Sequence, residues 1–314
     1  MKVQFRNIRL KEMKKDATQT PAGKKKIVLI AGPKSHGYAK HQHNAGCRLM
    51  AKWLNENVPG VEAVACFNGW PEDPAMLEDA AAIVLYLDGG PEHPINEHVE
   101  QIGRLMDKGV GLFCMHWATE VRDEPEGKLF LDWIGGYCGL YWSVNPHWTA
   151  EFKELPDHPI TRGVTPFAMY DEWYYHMRFP EGMKGSTPIL TAIPPESTRQ
   201  GPDGIRSGNA TVRARKGMPE HVAWACERAD GGRGFGFTGG HIHWSWANDN
   251  YRTIILNAIV WTAGMEVPAE GICSKTPTLE ELEVGQDYPQ PQGFDRQAVQ
   301  QTLDGWKKEA ATRN

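Results

Sequence analysis

Three stretches of this sequence set imidazoles close together in patterns that suit proton transfer or metal ligation. Gly239-Gly240-His241-Ile242-His243-Trp244 places two histidines at i, i+2 behind a glycine pair. In extended backbone both rings project to one face, and paired glycines let a ligand approach the main chain closely. One ring suits a general base, and both suit a divalent metal. Ser35-His36-Gly37-Tyr38, followed by His41, His43 and Asn44, supplies a second group. His36 and His43 are its site candidates, and His41 is expected at the surface. In Cys114-Met115-His116-Trp117, a cysteine nucleophile would need a tight turn between small residues, but Phe113 and Met115 flank Cys114. Cys114 is therefore expected inside a strand, with His116 at its exposed end.

Acidic partners come from Asp171-Glu172, where Glu172 can serve as acid, base or ligand if it is buried beside the histidines. Asp88 and His147 are candidates for substrate contact. So are Trp117, Trp148 and Trp244, since the apolar face of a sugar packs well on indole. Trp173 is a fourth possible platform, although a single Trp is more often core. His93, His98, His158 and His221 read as surface or packing residues.

These residues need a frame, and the apolar patterning provides one. Ile27-Val28-Leu29-Ile30 is a continuous apolar run, as in a parallel strand buried on both faces. Ala45, Leu49, Trp53 and Leu54 follow at helical spacing, then strands over 61–67 and 81–87, a helix over 94–108, and a strand over 109–116. This alternation predicts an α/β fold with a doubly wound, mostly parallel sheet in three layers. Ligands bind such sheets beyond the carboxyl ends of the strands, where His36, Asp88 and His116 fall. Residues 130–220 read as strands and long loops forming a cleft wall. Strand signals return over 187–193, 221–227 and 234–238, before a helix over 249–263. The chain divides into an opening segment (1–24), a main domain (25–265) and a Pro/Gln/Glu-rich extension (266–314) with one helix near 295–310, expected to wrap the surface or to be partly mobile.

Composition narrows the function. The 314 residues carry a net charge of −5, which argues against a nucleic-acid or anionic-membrane surface. No apolar run is long enough to span a bilayer. The six scattered cysteines suggest neither a disulfide framework nor a zinc ribbon. No nucleotide-cofactor motif is evident. The first 26 residues hold nine Lys/Arg and two acids, without the apolar core of a signal peptide.

The ordered set of Ser35-His36-Gly37, Leu87-Asp88-Gly89-Gly90, His116, Asp171-Glu172 and Gly239–Trp244 before Asn257-Ala258-Ile259-Val260-Trp261 resembles the ThuA-like (trehalose utilisation) family over about 25–265. The resemblance implies a flavodoxin-like, class I glutamine amidotransferase-like fold without the amidotransferase triad. It also implies a role in catabolism of trehalose and related disaccharides through 3-keto-sugars, with His36, His116 and His241 as motif residues. The opening stretch Val3–Met13 resembles the last strand of a 3-keto-disaccharide hydrolase domain. That implies a fused or associated domain of this kind, and a periplasmic or exported location if the chain is a fragment of a longer precursor; as written, the expectation is a cytoplasmic location.

The expectation is an enzyme acting on a keto-glycoside or disaccharide derivative, with His116, Glu172 and His241 catalytic and His36, His43 and His243 as ligands to a divalent metal such as zinc. The rivals are a non-catalytic carbohydrate-binding module serving a fused hydrolase, and a Cys114-dependent amidase.

Overall fold

The run Lys25–Ala31 is buried from its second residue onward, so it can sit only in the middle of a sheet covered on both faces. In the computed structural model, which describes residues 23–312, it is that central strand, β1. The expected strand near Val3–Leu10 lies outside the described residues. β1 pairs in parallel with β2 (Val61–Cys66) on one side and β3 (Ala80–Tyr86) on the other. β4 (Gly111–Met115) extends the parallel set from β3. Two short strands, β5 (Glu120–Val121) and β6 (Cys138–Gly139), pair with each other. β7 (His147–Phe152) and β8 (Phe167–Glu172) form a separate antiparallel hairpin. β9 (Ser186–Ala192), β10 (Glu220–Glu227) and β11 (Arg233–Phe237) then complete the large sheet, in the order β2-β1-β3-β4-β11-β10-β9. β11 runs parallel to β4, and β10 and β9 are antiparallel.

Successive residues of a strand face opposite sides, and this builds two cores. Ile27, Leu29, Phe113 and Met115 share one core with α1 (His43–Asn57) and α5 (Asp249–Thr262). Val28, Ile30, Leu112 and Cys114 share the other with α2 (Val99–Asp107) and α3 (Lys128–Trp133). The result is the expected three-layer α/β fold. Its order reverses at β1 and β3, because the chain goes outward to β2 before returning to β3, and that switch point is where doubly wound sheets open a crevice.

Several boundaries differ from the sequence expectation. The single helix over 94–108 is a 3₁₀ turn at Pro94–Glu97 followed by α2, the break falling at His98. Residues 130–220 hold, besides the hairpin, the short helices α3 and α4 (Ala210–Ala214). The extension is packed: α6 (Leu279–Glu283), which starts in a Thr278/Glu281 capping box, and α7 (Arg296–Ala311) bury Leu279, Leu282 and Leu303 against the α1/α5 side. No helix among the described residues is long and apolar enough to cross a membrane.

Candidate active site

Four loops meet at the carboxyl end of the sheet. The first, after β1, doubles back on itself with left-handed backbone at His36 (φ 62°), Ala39 (φ 62°) and His41 (φ 44°). Three non-glycine residues in this region need outside support. It comes from the extension: Ala39 N–H donates to the Gln286 side chain (2.8 Å), and Asp287 N–H donates to the Gln42 side chain (2.8 Å). Folding back carries His41 inward. It is 1% exposed, not at the surface as the sequence suggested, and His36 stacks on it with ring centroids 3.6 Å apart.

His116 follows β4 directly, is fully buried, and is also left-handed (φ 59°). Its Nδ1 donates to the Thr238 carbonyl (2.8 Å), which leaves Nε2 as the inward atom. His41 is fixed in the same way: Nδ1 donates to the Asp88 carboxylate (2.8 Å), leaving Nε2 inward. His241 is delivered by the loop after β11. There Asp171, itself buried, accepts from the N–H groups of Gly240 (2.9 Å), His241 (3.1 Å) and Ile242 (3.2 Å). Gly240 takes a left-handed backbone (φ 124°) that side-chain-bearing residues rarely adopt, and a Cβ there would press on Met115 Cε (2.8 Å) and His116 Cβ (3.2 Å). Glu172 ends β8, with Oε1 accepting from Asn145 Nδ2 (3.0 Å).

The four inward atoms converge. His41 Nε2 lies 3.0 Å from both His116 Nε2 and His241 Nδ1. Glu172 Oε2 lies 3.0 Å from His241 Nδ1 and 3.4 Å from His116 Nε2. One ligand atom from each of His41, His116, Glu172 and His241 fits within 4.8 Å of the others. Tyr174 Oη closes the floor, 3.4 Å from Glu172 and 3.5 Å from His116. With two nitrogens committed as outer donors, the bare lone pairs of His41 and His116 face each other at 3.0 Å. Such a contact calls for a proton or a cation between them. Three imidazoles and a carboxylate are the donor set of zinc or a similar divalent ion, and Asp88 and Thr238 would be the orienting partners such ligands require.

The electrostatics are those of a tightly coupled group. Burial, and then neighbouring His116 and His36, hold His41 far below the usual imidazole range. Burial also opposes charge on His116, yet the hydrogen bond and charge of Glu172 lift its pKa above the ordinary value. Burial pushes the Glu172 carboxyl up, but hydrogen bonding to His116 and His241 outweighs it and holds the group well below the carboxylate range.

Other expected site residues take different places. His147 is at the rim, partly exposed, directly opposite Glu172 in the hairpin and with its Nε2 4.0 Å from that carboxylate. Trp117 is also at the rim, edge-on to His36 (5.6 Å) and His41 (5.9 Å). His36 is exposed and His43 lies behind Asp88, donating from Nδ1 to Pro33 O (3.1 Å); neither belongs to the four-atom group. His243 is buried elsewhere and donates to Leu282 O (3.0 Å). Trp148 and Trp244 are core residues, not platforms: Trp148 donates to Trp173 O (2.9 Å), and Trp244 packs against Tyr38 and Phe294. Trp173 is likewise fully buried. Cys114 faces the α2/α3 layer, and burial pushes its thiol up, the opposite of what a nucleophile needs. His41, Asn145, Thr238 and Tyr174 are site residues that the sequence reading missed.

A mostly parallel three-layer sheet with histidines gathered at its switch point defines an α/β protein of the doubly wound class. The sequence matches the ThuA family, described as "Trehalose utilisation", over residues 28–262, and the chain belongs to that family. Among solved structures, a ThuA-like protein from Bacteroides uniformis ATCC 8492 is 16% identical, with a TM-score of 0.55 over 78% of this chain and 94% of that one. One from Parabacteroides merdae ATCC 43184 is also 16% identical, with a TM-score of 0.50 over 78% of this chain and 92% of that one. These likenesses support the fold. Among curated proteins none matches.

Proposed function

We propose that this protein is an enzyme of carbohydrate catabolism acting on a 3-keto-glycoside or keto-disaccharide. The convergence of His41, His116, His241 and Glu172 within 4.8 Å carries the reading, and membership of a trehalose-utilisation family supports a carbohydrate substrate. In this reading the four residues hold a divalent cation such as zinc. That cation would supply positive charge for the oxygen of an enolate. His43 and His243 are not among the proposed ligands.

A ketone acidifies the proton on the adjacent ring carbon, so the chain must provide a base beside the cluster. His147 is that base. Burial lowers its pKa from the ordinary imidazole value, so it is neutral near pH 7, and it stands at the open side next to Glu172. It takes the proton at Nε2 as the C–H electron pair passes into the enolate. It then returns the proton, to the departing glycosidic oxygen in elimination or to carbon in isomerisation. Asp88 and the Thr238 carbonyl keep the His41 and His116 rings in register throughout, and Asn145 orients Glu172.

The test is incubation of purified protein with 3-keto-trehalose, followed by NMR, with and without a chelator, together with metal analysis. Conversion that the chelator abolishes and zinc restores is expected. No conversion, with sugar still bound, would replace the enzyme by a carbohydrate-binding module.

A further inference from the structure

Next to the cluster lies a cavity of about 400 Å³, lined by Pro33, Asp88, Pro91, Glu92, Trp117 and Arg206 among others. Pockets of this size suit small organic ligands. Arg206 is the informative member. It sits in left-handed backbone (φ 57°), held by Arg206 N–H to Leu140 O (3.0 Å) and Asn145 N–H to Arg206 O (3.3 Å). Its Nε and Nη2 donate to the two oxygens of Glu120 (2.6 and 2.5 Å), a carboxylate with no exposure. The guanidinium lies over the Trp117 ring at 4.9 Å. Gly90 makes the approach possible, because a Cβ there would lie 2.9 Å from Arg206 Nη2 and 3.0 Å from Glu120 Oε1. Three elements are thus committed to holding one guanidinium at the cavity wall. Its Nη1 makes no hydrogen bond among the described residues. On the cavity's cluster side, Asp88 spends Oδ1 on His41, and its Oδ2 is likewise without a hydrogen bond among the described residues.

We infer that this cavity binds an uncharged hexosyl ring, with Arg206 Nη1 donating to one hydroxyl and Asp88 Oδ2 accepting from another beside Trp117. The inference rests on the keto-sugar reading for the identity of the substrate. Charge selects the neutral sugar. The Arg206 charge is already matched by Glu120, while Asp88 and Glu92 add negative charge, so a phosphorylated sugar meets no net cation. Arg206 is also linked to the cluster, because its carbonyl holds Asn145, whose side chain holds Glu172 (3.0 Å). A lysine cannot keep both arms on Glu120 and still offer a fixed donor.

Binding of trehalose and of trehalose 6-phosphate, measured by NMR and calorimetry, tests this alongside kinetics with 3-keto-trehalose. Trehalose should bind at least tenfold more tightly than its phosphate. Arg206→Met should weaken trehalose binding and raise KM by roughly ten- to a hundredfold, the range for a lost hydrogen bond to a charged group, with kcat changed far less. The pair Glu120→Gln with Arg206→Gln avoids a buried unpaired carboxylate and should show the same loss if Arg206→Met fails to fold. Unchanged KM in active variants, or tighter binding of the phosphate, overturns the subsite while the enzymatic reading stands. Trehalose binding that depends on Arg206, in a protein that turns over no keto-sugar, supports the subsite and overturns the chemistry. Absence of both overturns both.

Discussion

His241 and His243 leave the same loop two residues apart and both are buried, yet they belong to different parts of the molecule. His241 turns Nδ1 into the cluster, whereas His243 donates to Leu282 O and packs edge-on against Trp244. His41 and His43 divide in the same way although both approach Asp88, the first facing His116 and His241, the second donating to Pro33 O. His93 shows the packing role complete: Nε2 donates to Ala118 O (3.1 Å) and Nδ1 accepts from Ile95 N–H (3.0 Å). Burial therefore does not distinguish a histidine of the cluster from a packed one. The distinction is whether a nitrogen is aimed at a point that other donors share: the second nitrogens of His43 and His243 are buried without a hydrogen-bond partner, whereas those of His41 and His116 meet at the cluster.

That contrast can be broken most directly by substitution. His41→Ala, His116→Ala and His241→Ala should each lower keto-sugar turnover by about 10²- to 10⁴-fold and deplete bound metal, as read by steady-state kinetics and mass spectrometry of the native protein. His243→Ala should leave both close to wild type while lowering the unfolding midpoint. An active His41→Ala, or a metal-free His243→Ala that stays folded, would erase the distinction.

A packed histidine should instead register in stability. Burial holds the His93 pKa down to about 4, against an ordinary value of 6.5, with the Ala118 hydrogen bond opposing. Below 6.5 the unfolded chain takes up a proton that the fold refuses, so this residue costs stability increasingly as pH falls toward 4, and costs nothing above the window. The full cost is about 3 kcal/mol. Urea unfolding at pH 7.5 and pH 4.5 should show a smaller acid-induced loss in His93→Gln than in wild type. Parallel losses would mean that His93 is solvated.

The smallest effect belongs to Cys114, inside β4 and facing the α2/α3 layer. Cys114→Ala should cost about 1 kcal/mol and leave turnover unchanged, and thiol alkylation of the native protein should not inactivate it. Inactivation traced to Cys114 would move the chemistry across the sheet.

The sequence made the parallel sheet legible because its central strands are apolar on both faces, and it made His116 and Glu172 legible because each ends a strand. The position of His241 also followed from its glycine pair. His41 was not legible. Its burial depends on a reversal through left-handed residues that carry no glycine at those positions, supported by groups some 245 residues away. Trp148 and Trp244 misled for a related reason: an aromatic beside a histidine is visible in sequence, but the face on which it packs is decided by the hairpin and the extension. Asn145 and Thr238 act through one amide and one main-chain carbonyl, and a carbonyl leaves no mark in side-chain identity.

The contacts of Gln286 and Asp287 with the His41 loop set the smallest portable unit of this protein. Asn44 adds a third tie, donating to Asp287 (2.8 Å). The family match stops at residue 262, after the last helix of the sheet layers, so a version trimmed to that point would keep the scaffold and lose the clasp on the His41 loop. Anyone grafting, shortening or recombining this domain should therefore cut beyond residue 287, and treat those last turns of chain as belonging to the site.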